Sequence, residues 1–251
     1  MIKAITFDLW DTVFIDDTDE PKRKAAGRPT KAVERRELVK QFIDKHQQIS
    51  QENVNAAYNA QDAAFRKAWH DQHITWSVNE RLEIVLKGLG VTLPKDEMAE
   101  LVRLHEEMEL EFRPNFVPGV HEAIKLLSKK YKLGVISDAI FSPGKSLRQL
   151  LEGEGLLQYF STFVFSDEVG CSKPAECVFN AAKNGLGVEF NEIVHIGDRE
   201  HNDILGPEKM GMKSILCIAA LDRGSDRNRA DAWFENYSEL PSIMDKINNY
   251  G

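Results

Sequence analysis

Ile2-Lys3-Ala4-Ile5-Thr6-Phe7-Asp8-Leu9-Trp10-Asp11-Thr12 is the stretch whose reading decides the fold. Ile2 to Phe7 is short, largely apolar and β-branched, the pattern of a strand buried on both faces. A carboxylate follows it at once. Comparable runs recur at Leu133 to Ile136, Phe160 to Phe165, Ile193 to Ile196 and Ser214 to Ile218. Helical patterns separate these later runs: Val120, Ala123, Ile124 and Leu127 make one apolar face, and Ser146 to Leu157, Ala175 to Leu186 and Asn202 to Met212 read alike. Strands alternating with helices predict an α/β, Rossmann-like parallel-sheet core covered on both faces.

The first strand has no single crossover after it. Asp16 to Thr30 is polar, broken by Pro21, Gly27 and Pro29, and reads as a loop or flap whose Lys22, Arg23, Lys24 and Arg28 are expected to face water, the alternative being contact with an anionic substrate. Helical patterns follow over Lys31 to Lys45, Gln51 to His70, Val78 to Leu89 and Lys95 to Arg113. The expected organisation is a core of residues 1–15 and 114–251 with an inserted α-helical cap domain, 16–113.

Ligands of open parallel sheets bind beyond the carboxyl ends of the strands. The residues following each strand are therefore the functional census. Asp8, Trp10, Asp11 and Thr12 follow the first, and Ser137 and Asp138 the second. Asp167, Glu168 and Lys173 lie beyond the third, and Gly197, Asp198, Asn202 and Asp203 beyond the fourth. A lone Asp after a strand is usually a turn former or helix cap. Carboxylates, hydroxyls and a lysine converging on one edge instead suit an anion held against a divalent cation, because carboxylate oxygens are hard ligands and a lysine offsets crowded negative charge.

Four segments in this order, Phe7-Asp8-Leu9-Trp10-Asp11-Thr12, Ile136-Ser137-Asp138, Ser172-Lys173-Pro174 and Ile196-Gly197-Asp198 through Asn202-Asp203, resemble the four motifs of the haloacid dehalogenase superfamily. Pro118-Gly119-Val120 and Phe165 to Gly170 are similar to its members too. The resemblance spans the core, and the position of the insertion resembles the subclass with a helical cap after strand one. It implies a hydrolase in which Asp8 is the covalent nucleophile, with Thr12 and Ser137 holding the transferring group and Lys173 orienting Asp8. It further implies a Mg²⁺ site of Asp8, the Trp10 carbonyl and Asp198, supported by Asp203 through water or Lys173. The implied activity is phosphatase action on a small phosphorylated metabolite through a phospho-aspartate.

One departure bears on that activity. Phosphatases of the family carry a second Asp two residues after the nucleophile to protonate the leaving group; here the position is Trp10, as in dehalogenases, which carry an aromatic residue there. General acid–base help is worth ~10²–10⁴-fold. Asp11 stands as a candidate replacement acid/base or as a turn-stabilising residue, since adjacent side chains in extended chain point apart. Asp198 argues for the phosphatase, because two close carboxylates need a cation. A metal-independent 2-haloacid dehalogenase and a weakly active binding or regulatory protein remain the alternatives.

Composition sets outer limits. The 251 residues are 42% hydrophobic and 29% charged with a formal charge of −8, ordinary for a globular chain and unsuited to sequence-independent nucleic-acid binding. Apolar runs such as Ile215 to Leu221 fall far short of the ~20 residues that span a bilayer. The early Asp8 argues against a secretory signal. Cys171, Cys177 and Cys217 are odd in number without CxxC spacing, so reduced cysteines in a cytoplasmic protein are expected. Oligomeric state has no signature in the sequence.

Overall fold

The computed structural model describes residues 1–249. Its strands are β1 Ala4–Phe7, β2 Phe14–Ile15, β3 Asn115–Phe116, β4 Lys132–Ser137, β5 Phe160–Phe165, β6 Ile193–Gly197, β7 Lys213–Cys217 and β8 Ala232–Phe234. Among the described residues, six strands form one parallel sheet in the order β5-β4-β1-β6-β7-β8. β1 lies centrally, Phe7 registering with Val135 of β4 and Ile196 of β6. Helices on both faces bury it, so Ile5, Phe7, Val135, Val194 and Ile196 have no exposed surface. A parallel sheet covered on both sides demands such continuous apolar runs.

The helices preceding β3 are α1 Glu20–Ala25, α2 Lys31–Ile43, α3 Gln51–Gln72, α4 Val78–Gly88, α5 Lys95–Glu106 and α6 Met108–Glu111. Their starts are locally encoded. Thr30 and Ser50 cap α2 and α3, and Ser77 with Glu80 forms a reciprocal capping box on α4. Val39, Ile43, Val54, Leu82, Val85 and Leu101 close a hydrophobic cluster among these helices, apart from the one around the sheet. The chain enters and leaves this helical segment through a short antiparallel pair, β2 with β3, in which Phe14 faces Phe116. After it come α7 Val120–Leu127, α8 Gly144–Gly153, α9 Ser166–Val169, α10 Glu176–Leu186, α11 Gly206–Lys209 and α12 Leu240–Asn249. No helix among the described residues is long and apolar enough to cross a membrane.

Several expectations need correction. β2, β3 and β8 went unread because two or three residues carry no periodicity, and Trp233 on the edge strand β8 is exposed. The pattern Lys95 to Arg113 breaks at Glu107, between α5 and α6. Asn202 to Met212 begins within a π-helical turn, Glu200–Leu205, before α11. The expected flap contains α1, and Arg23 within it is fully buried, ion-paired with Glu34 and lying 5.2 Å from the centre of the Phe112 ring. Charge runs face water only when no buried partner waits for them. Cys171 and Cys177 are joined in a disulfide, so the expectation of reduced cysteines fails, and with it the cysteine argument for a reducing compartment. Cys217 is free and buried.

Candidate active site

Asp8 is one residue past β1, its backbone N–H donating to the Ile196 carbonyl at 2.8 Å. The register therefore sets it between the ends of β4 and β6, beside Ser137 and Asp138 on one side and Gly197 and Asp198 on the other. Lys173 reaches this edge from the loop after α9. Its ammonium lies 2.9 Å from Asp8 Oδ1 and donates to Asp203 Oδ1 at 2.6 Å. Burial works against the charge on Lys173, yet Asp203, Asp8 and Asp138 together raise its pKa, keeping it ionised.

Asp203 is wholly buried and fully engaged. Oδ1 also meets His195 Nε2 at 3.2 Å, and Oδ2 accepts from the Arg199 backbone N–H at 2.9 Å. Burial would push its pKa up, but Lys173 and the His195 hydrogen bond hold it below the usual carboxylate range. Gly197 is required here: a Cβ on it would lie 2.3 Å from Asp203 Cγ. His195, read from sequence as a buried strand residue, also contacts Thr6 Oγ1 at 2.9 Å and so links β1, β6 and the π-helical turn.

Asp198 differs from Asp203. Its pKa is raised, first by burial and then by Asp203 and Asp8. One oxygen pairs with Arg223 Nε, while Oδ1 is buried and has no hydrogen-bond partner among the described residues. Carboxylate oxygens of Asp8, Asp198 and Asp203 lie within 4.8 Å of one another. An orphaned oxygen in a cluster of hard donors fits a divalent cation. Thr12 Oγ1 and Ser137 Oγ are likewise buried and without partners among the described residues. Each such atom costs about 1–3 kcal/mol unless a ligand meets it.

Trp10 and Asp11 have different surroundings. Trp10 lines the cleft and packs edge-on against Phe14, ring centres 4.9 Å apart. Asp11 sits in left-handed backbone (φ 52°), its Oδ1 accepting from Asp16 N at 3.0 Å and its Oδ2 from Arg223 Nη2 at 2.6 Å. Asp138, to which the sequence assigned no role, lines the cleft and accepts from the Lys173 backbone N–H at 3.0 Å. Burial pushes its carboxyl up to about 6, against the pull of Lys173.

The cleft holds about 330 Å³ between this edge and the inserted helices, which contribute Lys31, Arg35, Trp69 and Glu109 to its walls. Sequence reading missed Lys31, Arg35 and Glu109. No local signal marks a residue facing another segment across a cleft. Arg223 was findable: it follows β7, where the same strand-end rule applies.

A glyceraldehyde 3-phosphate phosphatase of Methanothermobacter thermautotrophicus is 29% identical to this chain over 258 residues, covering 97% of the chain and 100% of that protein. One from Methanocaldococcus jannaschii is 25% identical over 255 residues, covering 99% and 98%. The fold is shared with a 2-haloacid dehalogenase from Pseudomonas syringae, at TM-score 0.71 and 22% identity over 98% of this chain and 99% of that one. The family model described as haloacid dehalogenase-like hydrolase matches residues 47–217, and with the strand-end cluster in place the chain belongs to that family.

Proposed function

We propose that the chain is a Mg²⁺-dependent phosphatase of a small phosphorylated metabolite, working through a phospho-aspartate on Asp8. The observation that carries this is the set of unpartnered buried polar atoms, Thr12 Oγ1, Ser137 Oγ and Asp198 Oδ1, beside an Asp8 already paired with Lys173. Two hydroxyls suit phosphoryl oxygens, and an orphaned carboxylate oxygen suits a cation. The phosphatase names of the two relatives support the same chemistry. A cleft of about 330 Å³ suits a small molecule.

In this reading Asp8 attacks phosphorus while Lys173 orients its carboxylate, and Thr12 and Ser137 donate to the phosphoryl oxygens. Asp8, Asp198 and the Trp10 carbonyl would hold Mg²⁺, which would supply neutralising charge for the phosphoryl oxygens. Asp203 supports the site through Lys173, because both its oxygens are taken by protein donors. Asp11, held by Asp16 and Arg223, is a turn-stabilising residue and not the acid/base. Residues 1–15 and 114–251 form the catalytic core and 16–113 the cap, a division supported by the separate hydrophobic cluster of the inserted helices.

The test is release of p-nitrophenol from p-nitrophenyl phosphate with Mg²⁺ and with EDTA. Turnover is expected only with Mg²⁺ and only with Asp8; full activity of a folded Asp8→Asn protein overturns the reading. Trp10 favours a second reading, hydrolytic dehalogenation of a 2-halo acid, which requires halide release that persists in EDTA.

A further inference from the structure

We propose that Asp138 is the general acid and base of this site, occupying functionally the place that Trp10 leaves vacant. This rests on the phosphatase reading above. In the first step an Asp8 oxygen bonds to phosphorus, the bond from phosphorus to the ester oxygen breaks, and the departing oxygen takes the proton of the Asp138 carboxyl. An alcohol and phospho-Asp8 result. In the second step a water oxygen bonds to phosphorus as its proton passes to the Asp138 carboxylate. The bond from phosphorus to the Asp8 oxygen breaks, phosphate leaves, and both carboxyl groups return to their starting states.

Elimination among the titratable groups of the cleft leads to Asp138. Lys173 is committed to Asp8 and Asp203. Glu109 accepts from Ser142 at 2.5 Å and lies 3.3 Å from the Lys31 ammonium and 3.5 Å from the Arg35 guanidinium, which keep it ionised. Asp17 has a side chain 73% exposed and lies 3.3 Å from the Lys31 ammonium. Asp11, with both oxygens engaged, does not line the cleft. Asp16 remains as a rival, but among the described residues no hydrogen bond or ion pair joins it to Asp8 or Lys173, and its carboxylate accepts from the neighbouring Asp17 N–H.

Asp138 has the connection that Asp16 lacks. It and Asp8 accept from opposite ends of one residue, the backbone N–H and the ammonium of Lys173, so the two carboxyls keep a fixed relation across the cleft. Its Oδ1 takes the firm hydrogen bond, leaving Oδ2 with only a 3.5 Å approach from Asn202 Nδ2. Oδ2 is thus the oxygen free to carry the proton. At 9% exposure the group is largely out of water, which favours its protonated form.

The experiment compares Asp138→Asn with the wild type on p-nitrophenyl phosphate and on glycerol phosphate, with Mg²⁺, in steady state and in a rapid-mixing burst. Nitrophenolate leaves without a proton; an alkoxide does not. The expected result is a loss of ~10²–10⁴-fold on glycerol phosphate. On p-nitrophenyl phosphate a burst of one nitrophenolate per enzyme should precede slow turnover, with phospho-Asp8 accumulating. Asp138→Glu should recover part of the alkyl activity, and Asp138→Ser serves if the Asn variant is recovered unfolded. Equal losses on both substrates without a burst would overturn the assignment, as would Asp16→Asn alone giving the leaving-group pattern. An inactive wild type would instead overturn the phosphatase reading and this inference with it.

Discussion

Two buried charge clusters face each other across the cleft, and their charge balance differs. On the side of the inserted helices, Arg23, Lys31 and Arg35 meet Asp19, Glu34 and Glu109, three buried cations against three buried anions. At the strand ends, Asp8, Asp11, Asp138, Asp198 and Asp203 are set against two cations, Lys173 and the half-buried Arg223. The first cluster is close to neutral by itself. With every carboxyl ionised the second would carry three excess negative charges, and burial raises the pKa of Asp138 and Asp198 within it. A balanced cluster satisfies its own charges; an unbalanced one leaves buried charge that an added cation would offset.

The sharpest way to break this contrast is to neutralise one carboxylate in each cluster. Asp198→Asn should lower Mg²⁺-dependent hydrolysis by at least ~10³-fold, as expected when several kcal/mol of transition-state charge stabilisation is lost. Denaturation in EDTA should show no loss of stability. Mg²⁺ titration calorimetry reads the binding loss directly, and unchanged affinity would sink the assignment of Asp198 as a ligand.

Glu34→Gln should behave in the opposite way. It strands the fully buried Arg23, and breaking one side of a buried pair costs about 3–5 kcal/mol. The Tm should fall by about 10 °C, while kcat of the folded fraction changes little. A variant as stable as the wild type would show that the cluster near the inserted helices is not what holds Arg23.

Asp138 sharpens the comparison through pH. Its folded pKa of about 6 lies above the ordinary 3.8, so over that window the native state binds more protons and stability falls as pH rises. The penalty is complete above the folded value and absent below the unfolded one. Asp138→Asn in EDTA should therefore gain about 2–3 kcal/mol near neutral pH and nothing below pH ~4. Urea denaturation across pH measures it, and a gain independent of pH would refute the electrostatic cause.

The smallest effect is expected at the disulfide. Cys171 and Cys177 close a short ring around Lys173, and opening it with a paired Ser substitution should cost about 2 kcal/mol. Denaturation with and without a dithiol reductant measures this, and identical midpoints would show that the bond contributes nothing to stability.

The sequence by itself determined the order of buried strands, the parallel sheet and the edge at which Asp8, Ser137, Lys173 and Asp198 gather. Those properties follow from apolar periodicity and from the rule that ligands sit beyond strand ends, both readable one segment at a time. Tertiary structure alone decided which carboxylates are free. Both oxygens of Asp11 and of Asp203 accept from protein donors, whereas among the described residues Asp198 Oδ1 and Asp138 Oδ2 are left without a firm partner. It likewise decided that Arg23 is buried and that Cys171 meets Cys177. The reason is physical. A side chain's ionisation and partners depend on what distant segments bring within a few ångströms, and one residue's neighbours in sequence carry no record of that.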